Sequence, residues 1–244
     1  MQSGSSDGAR QTRLIVALDT SDEAQASRWI EAIGPHVGAF KLGLEFTYAQ
    51  GLPAVRRVAA GRDLFLDLKL HDIPNTVASS IHALAGALAP MRPAMLTIHA
   101  QGGQAMIEAA CAARNAAFAG SVQPLLLAVT VLTSLDAEML HDIGVAGGPR
   151  QQVLRLGRLA MRSGADGLVC SPHEIAPLRD ALGDAPILVV PGIRPDGAAA
   201  GDQKRVMTPS QARAAGADWI VVGRPITQDA DPASAAASIA AMLA

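Results

Sequence analysis

Asp63-Leu64-Phe65-Leu66-Asp67-Leu68-Lys69-Leu70-His71-Asp72-Ile73-Pro74-Asn75-Thr76 contains the unit from which the fold is read. Residues 63–69 predict a strand, the polar residues after them a turn, and residues 73–89 a helix. Side chains alternate along a strand, so Asp67 and Lys69 share one face while Leu66, Leu68 and Leu70 take the other. Leucines suit a helix-covered side. That leaves the two charges pointing inward, toward the mouth of whatever the strands enclose.

Working outward, the same order recurs along the chain. Strand-like runs fall at residues 14–19, 38–42, 63–69, 94–99, 123–130, 166–170, 186–190 and 218–223. Most are nearly continuous in apolar residues, as strands covered on both faces must be. Helices fit between them, for example over residues 22–33, 73–89, 104–118, 151–163 and 232–243. Asp22, with Glu23 beside it, suits a helix N-terminus, and Gly164, Gly183 and Gly216 stand where helices need a stop. Eight strand-helix units predict an α/β fold, a single (β/α)₈ barrel over residues 13–244. An open dinucleotide-binding sheet would carry a glycine-rich turn after its first strand, but Thr20-Ser21-Asp22 follows Asp19. Residues 1–12 read as a disordered Ser/Gly-rich tail without the apolar core of a signal peptide.

Composition excludes several classes. The chain has 244 residues, 20 Lys+Arg against 22 Asp+Glu, and a formal net charge of −2, so nothing marks it for nucleic acid or an anionic membrane. Aromatics are only 3%, too few for base stacking. The longest apolar stretches, such as residues 125–129, are too short to span a bilayer. Two cysteines, Cys111 and Cys170, make no disulfide framework or metal spacing, which favours a reducing, cytoplasmic setting.

Barrel chemistry sits at the C-terminal ends of strands, and the polar residues collect there. Asp19 ends the first strand, Lys41 lies near the end of the second, and Asp67, Lys69 and Asp72 follow on the third. A lone charge there would suit an ion pair that merely closes the mouth. Five charges on three strand ends, spaced D-x-K-x-x-D, point to function, because such an array costs stability. Opposite them, Pro191-Gly192-Ile193-Arg194-Pro195 follows strand seven and Val222-Gly223-Arg224-Pro225 ends strand eight, where barrels often bind phosphate. The loop over residues 191–205 is long, as a lid or binding loop is. His99 reads as a hydrogen-bonded wall residue, and Thr133 and Ser134 as either amide ligands or turn caps. His71 has no ligand-spaced partner for zinc, and Cys170 no evident base.

The block from Phe65 to Thr76 closely resembles the signature of the orotidine 5′-phosphate decarboxylase family, bacterial branch. Val16-Ala17-Leu18-Asp19, Phe40-Lys41-Leu42-Gly43, Val129-Thr130-Val131-Leu132-Thr133-Ser134, Pro191–Pro195 and Val222–Pro225 extend the resemblance from Leu14 onward. It implies a barrel enzyme without cofactor or metal that converts orotidine 5′-phosphate to UMP and CO₂ in pyrimidine synthesis. By that resemblance Lys69 protonates C6, and Lys41, Asp67 and Asp72 complete a charged tetrad. It also implies a homodimer in which Asp72 and Thr76 reach the neighbouring site. Asp19 and Lys41 match ribose ligands, and Thr133 a pyrimidine contact. Asp67 and Ile73 also fall among the substrate-binding positions. Arg194, Gln203, Gly223 and Arg224 match ligand- and phosphate-binding positions.

Two alternatives stand beside this one. The sugar-phosphate branch of the same barrel, 3-keto-gulonate 6-phosphate decarboxylases and hexulose-phosphate synthases, shares D-x-K-x-x-D but needs Mg²⁺. The continuation His71-Asp72-Ile73-Pro74-Asn75-Thr76 and the Gly192-Ile193-Arg194-Pro195 loop favour the orotidine branch. A non-catalytic barrel sensing UMP or a sugar phosphate would keep Gly223 and Arg224 but has no need of two lysines and two aspartates.

Overall fold

In the computed structural model, which describes residues 11–195 and 206–243, the apolar runs become eight strands. These are β1 (Arg13–Ala17), β2 (Ala39–Gly43), β3 (Leu64–Leu70), β4 (Met95–His99), β5 (Leu125–Val129), β6 (Gly167–Val169), β7 (Ile187–Val190) and β8 (Trp219–Val222). The helices are α1 (Glu23–Ile33), α2 (Leu44–Val58), α3 (Pro74–Leu88), α4 (Gly103–Ala117) and α5 (Ala137–Asp142). They continue with α6 (Pro149–Arg162), α7 (Ile175–Leu182), α8 (Pro209–Ala215), α9 (Arg224–Thr227) and α10 (Pro232–Ala241). The strands are parallel and close in sequence order, with β8 returning to β1 at Leu14↔Ile220. The predicted (β/α)₈ barrel is the observed fold.

The alternation of side chains builds two cores. Val16, Leu42, Leu66, Ile98, Leu126 and Val190 pack outward under the helices. Ile15, Phe65, Met95, Leu127, Val189 and Trp219 form a separate cluster that fills the barrel. Each buried side chain of this size contributes roughly 1.5–3 kcal/mol on leaving water, which explains why both faces of the strands are apolar.

Several strands are shorter than the apolar runs suggest, for a polar reason. Asp166 and Asp218 stand just ahead of β6 and β8, where their carboxylates are already engaged. Asp166 accepts the Leu126 amide at 2.7 Å and pairs with Arg114 at 2.5 Å. Asp218 does the same with the Leu188 amide and Arg179, both at 2.7 Å. These clasps tie helix to strand at the N-terminal face of the barrel, the face that carries stability in this fold.

Asp22 caps α1 as expected, accepting the amides of Ala24 at 2.8 Å and Gln25 at 3.2 Å. Gly164, Gly183 and Gly216 take φ of 94°, 64° and 100° after their helices, the left-handed side that stops a helix cheaply. Thr12 is buried rather than part of the tail. Its hydroxyl donates to the Ala217 carbonyl at 2.7 Å and fastens the chain to the loop before β8. Residues 1–10 and 196–205 fall outside the described residues, and with them Gln203 and most of the long loop after β7.

Candidate active site

The site begins with an irregularity in β3. β3 and β4 are in register at Leu66↔Leu96 and again at Leu70↔Ile98, so Asp67, Leu68 and Lys69 together stand opposite Thr97. Lys69 takes φ +50°, and among the described residues no other non-glycine residue has a positive φ. The leucines still face the outer core. The two charges point into the barrel as predicted, but from a bulge rather than from a regular strand.

There the charges alternate. Asp67 is 7% exposed, and its Oδ2 accepts Lys69 Nζ at 2.7 Å, with Lys41 Nζ at 3.8 Å. Lys41 donates in turn to Asp19 Oδ1 at 3.3 Å. Burial alone would raise the Asp67 pKa. The ammonium charges of Lys41 and Lys69, with hydrogen bonds from Lys69 and Thr97, outweigh it and hold the carboxyl below its ordinary value. Asp67 is therefore ionised at neutral pH, between two cations.

These residues form one wall of a cavity of about 470 Å³ at the C-terminal ends of the strands. A second wall is apolar, from Val129, Val131, Leu132, Val169 and Cys170. Arg194, Gly223, Arg224 and Gln228 complete the lining, with Gly223 next to Asp19. Arg194 is held by the bridge Ile193↔Met207, with its amide on the Met207 carbonyl at 3.0 Å. Burial, and then the charge of Arg224, lower its pKa. Two guanidinium groups on one cavity, near enough for one to feel the other's charge, are a donor set that can take up an anion. Gly223 stands just before the one-turn helix α9 with φ −113° and ψ −102°, between the usual helical and extended regions, and a Cβ there would meet Ala17 Cβ at 3.5 Å and Asp19 Oδ2 at 3.6 Å.

Eight of the expected residues thus share the cavity: Asp19, Lys41, Asp67, Lys69, Thr133, Arg194, Gly223 and Arg224. Asp72, Ile73 and Thr76 do not. All three are exposed in the single chain, Ile73 at 66%, and Asp72 turns its carboxylate back onto the Ile73 amide at 2.7 Å. His99 departs from the expected hydrogen-bonded wall residue. Its Nδ1 has no hydrogen-bond partner among the described residues, and its ring packs 5.2 Å from His71. Burial first, then the charges of His71 and Lys69, lower its pKa and leave it neutral. Thr133 lines the cavity and Ser134 does not.

Two participants escaped the sequence reading. Gln228 lies four residues past Arg224, a helical spacing that would have signalled a shared face. Thr97, buried at 1%, bonds both Asp67 and Lys69, yet a threonine in an apolar run looks like an ordinary strand former.

Fold and site define the class: a (β/α)₈ barrel enzyme with a charged pocket at the C-terminal ends of its strands. The family model described as Orotidine 5′-phosphate decarboxylase / HUMPS family matches residues 12–239, and the chain belongs to that family. A curated relative named orotidine 5′-phosphate decarboxylase, from Gluconobacter oxydans, is 63% identical over 237 residues, covering 97% of this chain and 99% of the relative. One of the same name from an Anaeromyxobacter species is 53% identical over 232 residues, covering 95% and 98%. The crystal structure of orotidine 5′-phosphate decarboxylase from Lactobacillus acidophilus superposes with a TM-score of 0.83 at 38% identity, covering 95% of this chain and 99% of that one.

Proposed function

We propose that this enzyme decarboxylates orotidine 5′-phosphate to UMP and CO₂, without a cofactor, in the cytoplasmic synthesis of pyrimidine nucleotides. The carrying observation is the half-buried Asp67–Lys69 pair at 2.7 Å, with Lys41 Nζ 3.8 Å from the same carboxylate, in a cavity that two arginines also line. When the C6–carboxylate bond breaks, CO₂ departs and the electron pair stays at C6, in the ring plane and outside the π system. Preorganised charge is then the available stabiliser, and the Lys69 ammonium supplies both the charge and the proton that ends the step. Asp67 holds that ammonium and sets a like charge beside the departing carboxylate. Arg194, Arg224, Gly223 and Gln203 hold the phosphate, Asp19 and Lys41 the ribose, and Thr133 the pyrimidine.

The test is an absorbance assay with orotidine 5′-phosphate in excess EDTA. Turnover to UMP in EDTA is the expected result. Turnover that requires Mg²⁺, or activity on a hexulose phosphate instead, would move the protein to the sugar-phosphate branch. UMP binding with no turnover would make it a sensor.

Asp72, Ile73 and Thr76 enter this reading through a homodimer. They are exposed just past β3, and exposed Leu132 lies at the same end of the barrel. A second copy that covers them would bring Asp72 to its partner's Lys69 and complete the tetrad. Lys69→Ala and Asp72→Ala homodimers should each be nearly inactive. Mixing them should recover activity, because half of the sites in a heterodimer then carry neither substitution. Mixing with subunit exchange shown by mass spectrometry, but without recovered turnover, would rule out the shared site.

A further inference from the structure

Lys69 sits where an L-residue resists sitting, and one side chain keeps it there. Thr97 Oγ1 accepts the Lys69 backbone amide at 2.8 Å, and the same hydroxyl donates to Asp67 Oδ1 at 2.9 Å. The other carboxylate oxygen of Asp67 accepts Lys69 Nζ at 2.7 Å. Main chain, hydroxyl, carboxylate and ammonium therefore close into one ring across the bulge. Thr97 is 1% exposed, and both its donor and its acceptor functions are used within this ring.

We propose that Thr97 is a positioning residue for the decarboxylation: its hydroxyl pins the β3 bulge and fixes the Asp67–Lys69 pair in reacting geometry. The inference rests on the roles of Lys69 and Asp67 proposed above. A left-handed lysine stores strain and persists where its surroundings over-determine it. β4 supplies that determination with a side chain, because the bulge leaves three residues of β3 opposite a single residue of β4. A hydroxyl can accept from an amide and donate to a carboxylate at once, which no apolar strand former can do.

Valine matches threonine in shape but leaves the Lys69 amide and one Asp67 oxygen without this partner. Thr97→Val is expected to lower kcat by roughly ten- to a hundredfold, since loosening a catalytic pair by a fraction of an ångström has effects of that order. UMP affinity should stay within about threefold, because the hydroxyl makes its bonds to protein rather than ligand. The pH profile separates positioning from folding. Asp67 is faced by Lys41 from β2, Lys69 on its own strand and His99 from β4, with Asp19 beyond Lys41. None of these changes in the variant. Losing the Thr97 hydrogen bond removes support for the ionised form alone, so the acid limb of kcat/KM should move to higher pH. Thr97→Ser, which keeps the hydroxyl, should restore kcat and the acid limb together.

Rates are taken per folded molecule, with circular dichroism as the check. Thr97→Cys, a weak donor of similar size, replaces valine if that variant fails to fold, and should fall between serine and valine. Wild-type kcat and an unmoved acid limb in Thr97→Val, or in Thr97→Cys where valine does not fold, with Lys69→Ala inactive, would overturn the positioning role and leave the lysine's role standing. Full activity in Lys69→Ala would overturn the underlying reading instead.

Discussion

Lys69→Ala is expected to lose about four orders of magnitude or more in kcat, because one group supplies both the electrostatic stabilisation of the C6 carbanion and its proton. UMP carries no carboxylate to meet the ammonium, so its binding should change far less than turnover. Calorimetry with UMP, beside single-turnover rates on orotidine 5′-phosphate, reads the two apart. The substitution also leaves Asp67 with Lys41 as its remaining cation, so the carboxyl pKa should rise toward its ordinary value. A variant that kept near-wild-type kcat would strike Lys69 from the mechanism.

Arg224→Ala is expected to lower kcat/KM by roughly three orders of magnitude or more, mostly through KM. Its guanidinium lines the same cavity as Lys69, and on the proposed reading it grips the phosphate rather than the bond that breaks. Binding of a phosphate dianion there anchors the substrate and lets remote contacts serve the transition state. Arg194 remains in the variant, freed from its like-charged neighbour but too few to neutralise a dianion. Added guanidinium should restore part of the activity, since it supplies the charge without the tether. The control is orotidine lacking the phosphate, on which wild type and variant should perform about equally poorly. A variant much worse than wild type on that truncated substrate would show that Arg224 serves something other than phosphate.

The barrel was legible because its strands are covered twice over. Residues buried on both faces leave unbroken apolar runs, and eight of them separated by helices admit few other architectures. The helices left unnamed are those whose pattern is interrupted or too short. α2 is broken at Gly51, with φ 74°, and carries Pro53 inside it, while α5, α7, α8 and α9 have eight residues or fewer. Asp19, Lys41, Asp67 and Lys69 could be placed from alternation and strand ends alone. The bulge could not, because period-two reasoning treats every strand as regular. Thr97 shares that fate, since its importance comes from what lies opposite it on β3. Asp72 was reached through the D-x-K-x-x-D spacing, Ile73 and Thr76 through family resemblance alone, and the geometry of one chain leaves all three outside its cavity.

The closure of β1 onto β8 has a consequence for synthesis. Asp19 follows the first strand and Arg224 the last, and Thr12 is fastened to Ala217. A nascent chain emerges from its N-terminus, so β1 waits through most of translation for the strand that will cover its open edge. During that interval a row of unpaired amides and carbonyls borders strands that are apolar on both faces, the kind of edge on which neighbouring chains pair. The hydrogen bonds that bring Asp19 and Arg224 to one cavity are thus the same bonds that end the growing chain's exposure to its neighbours.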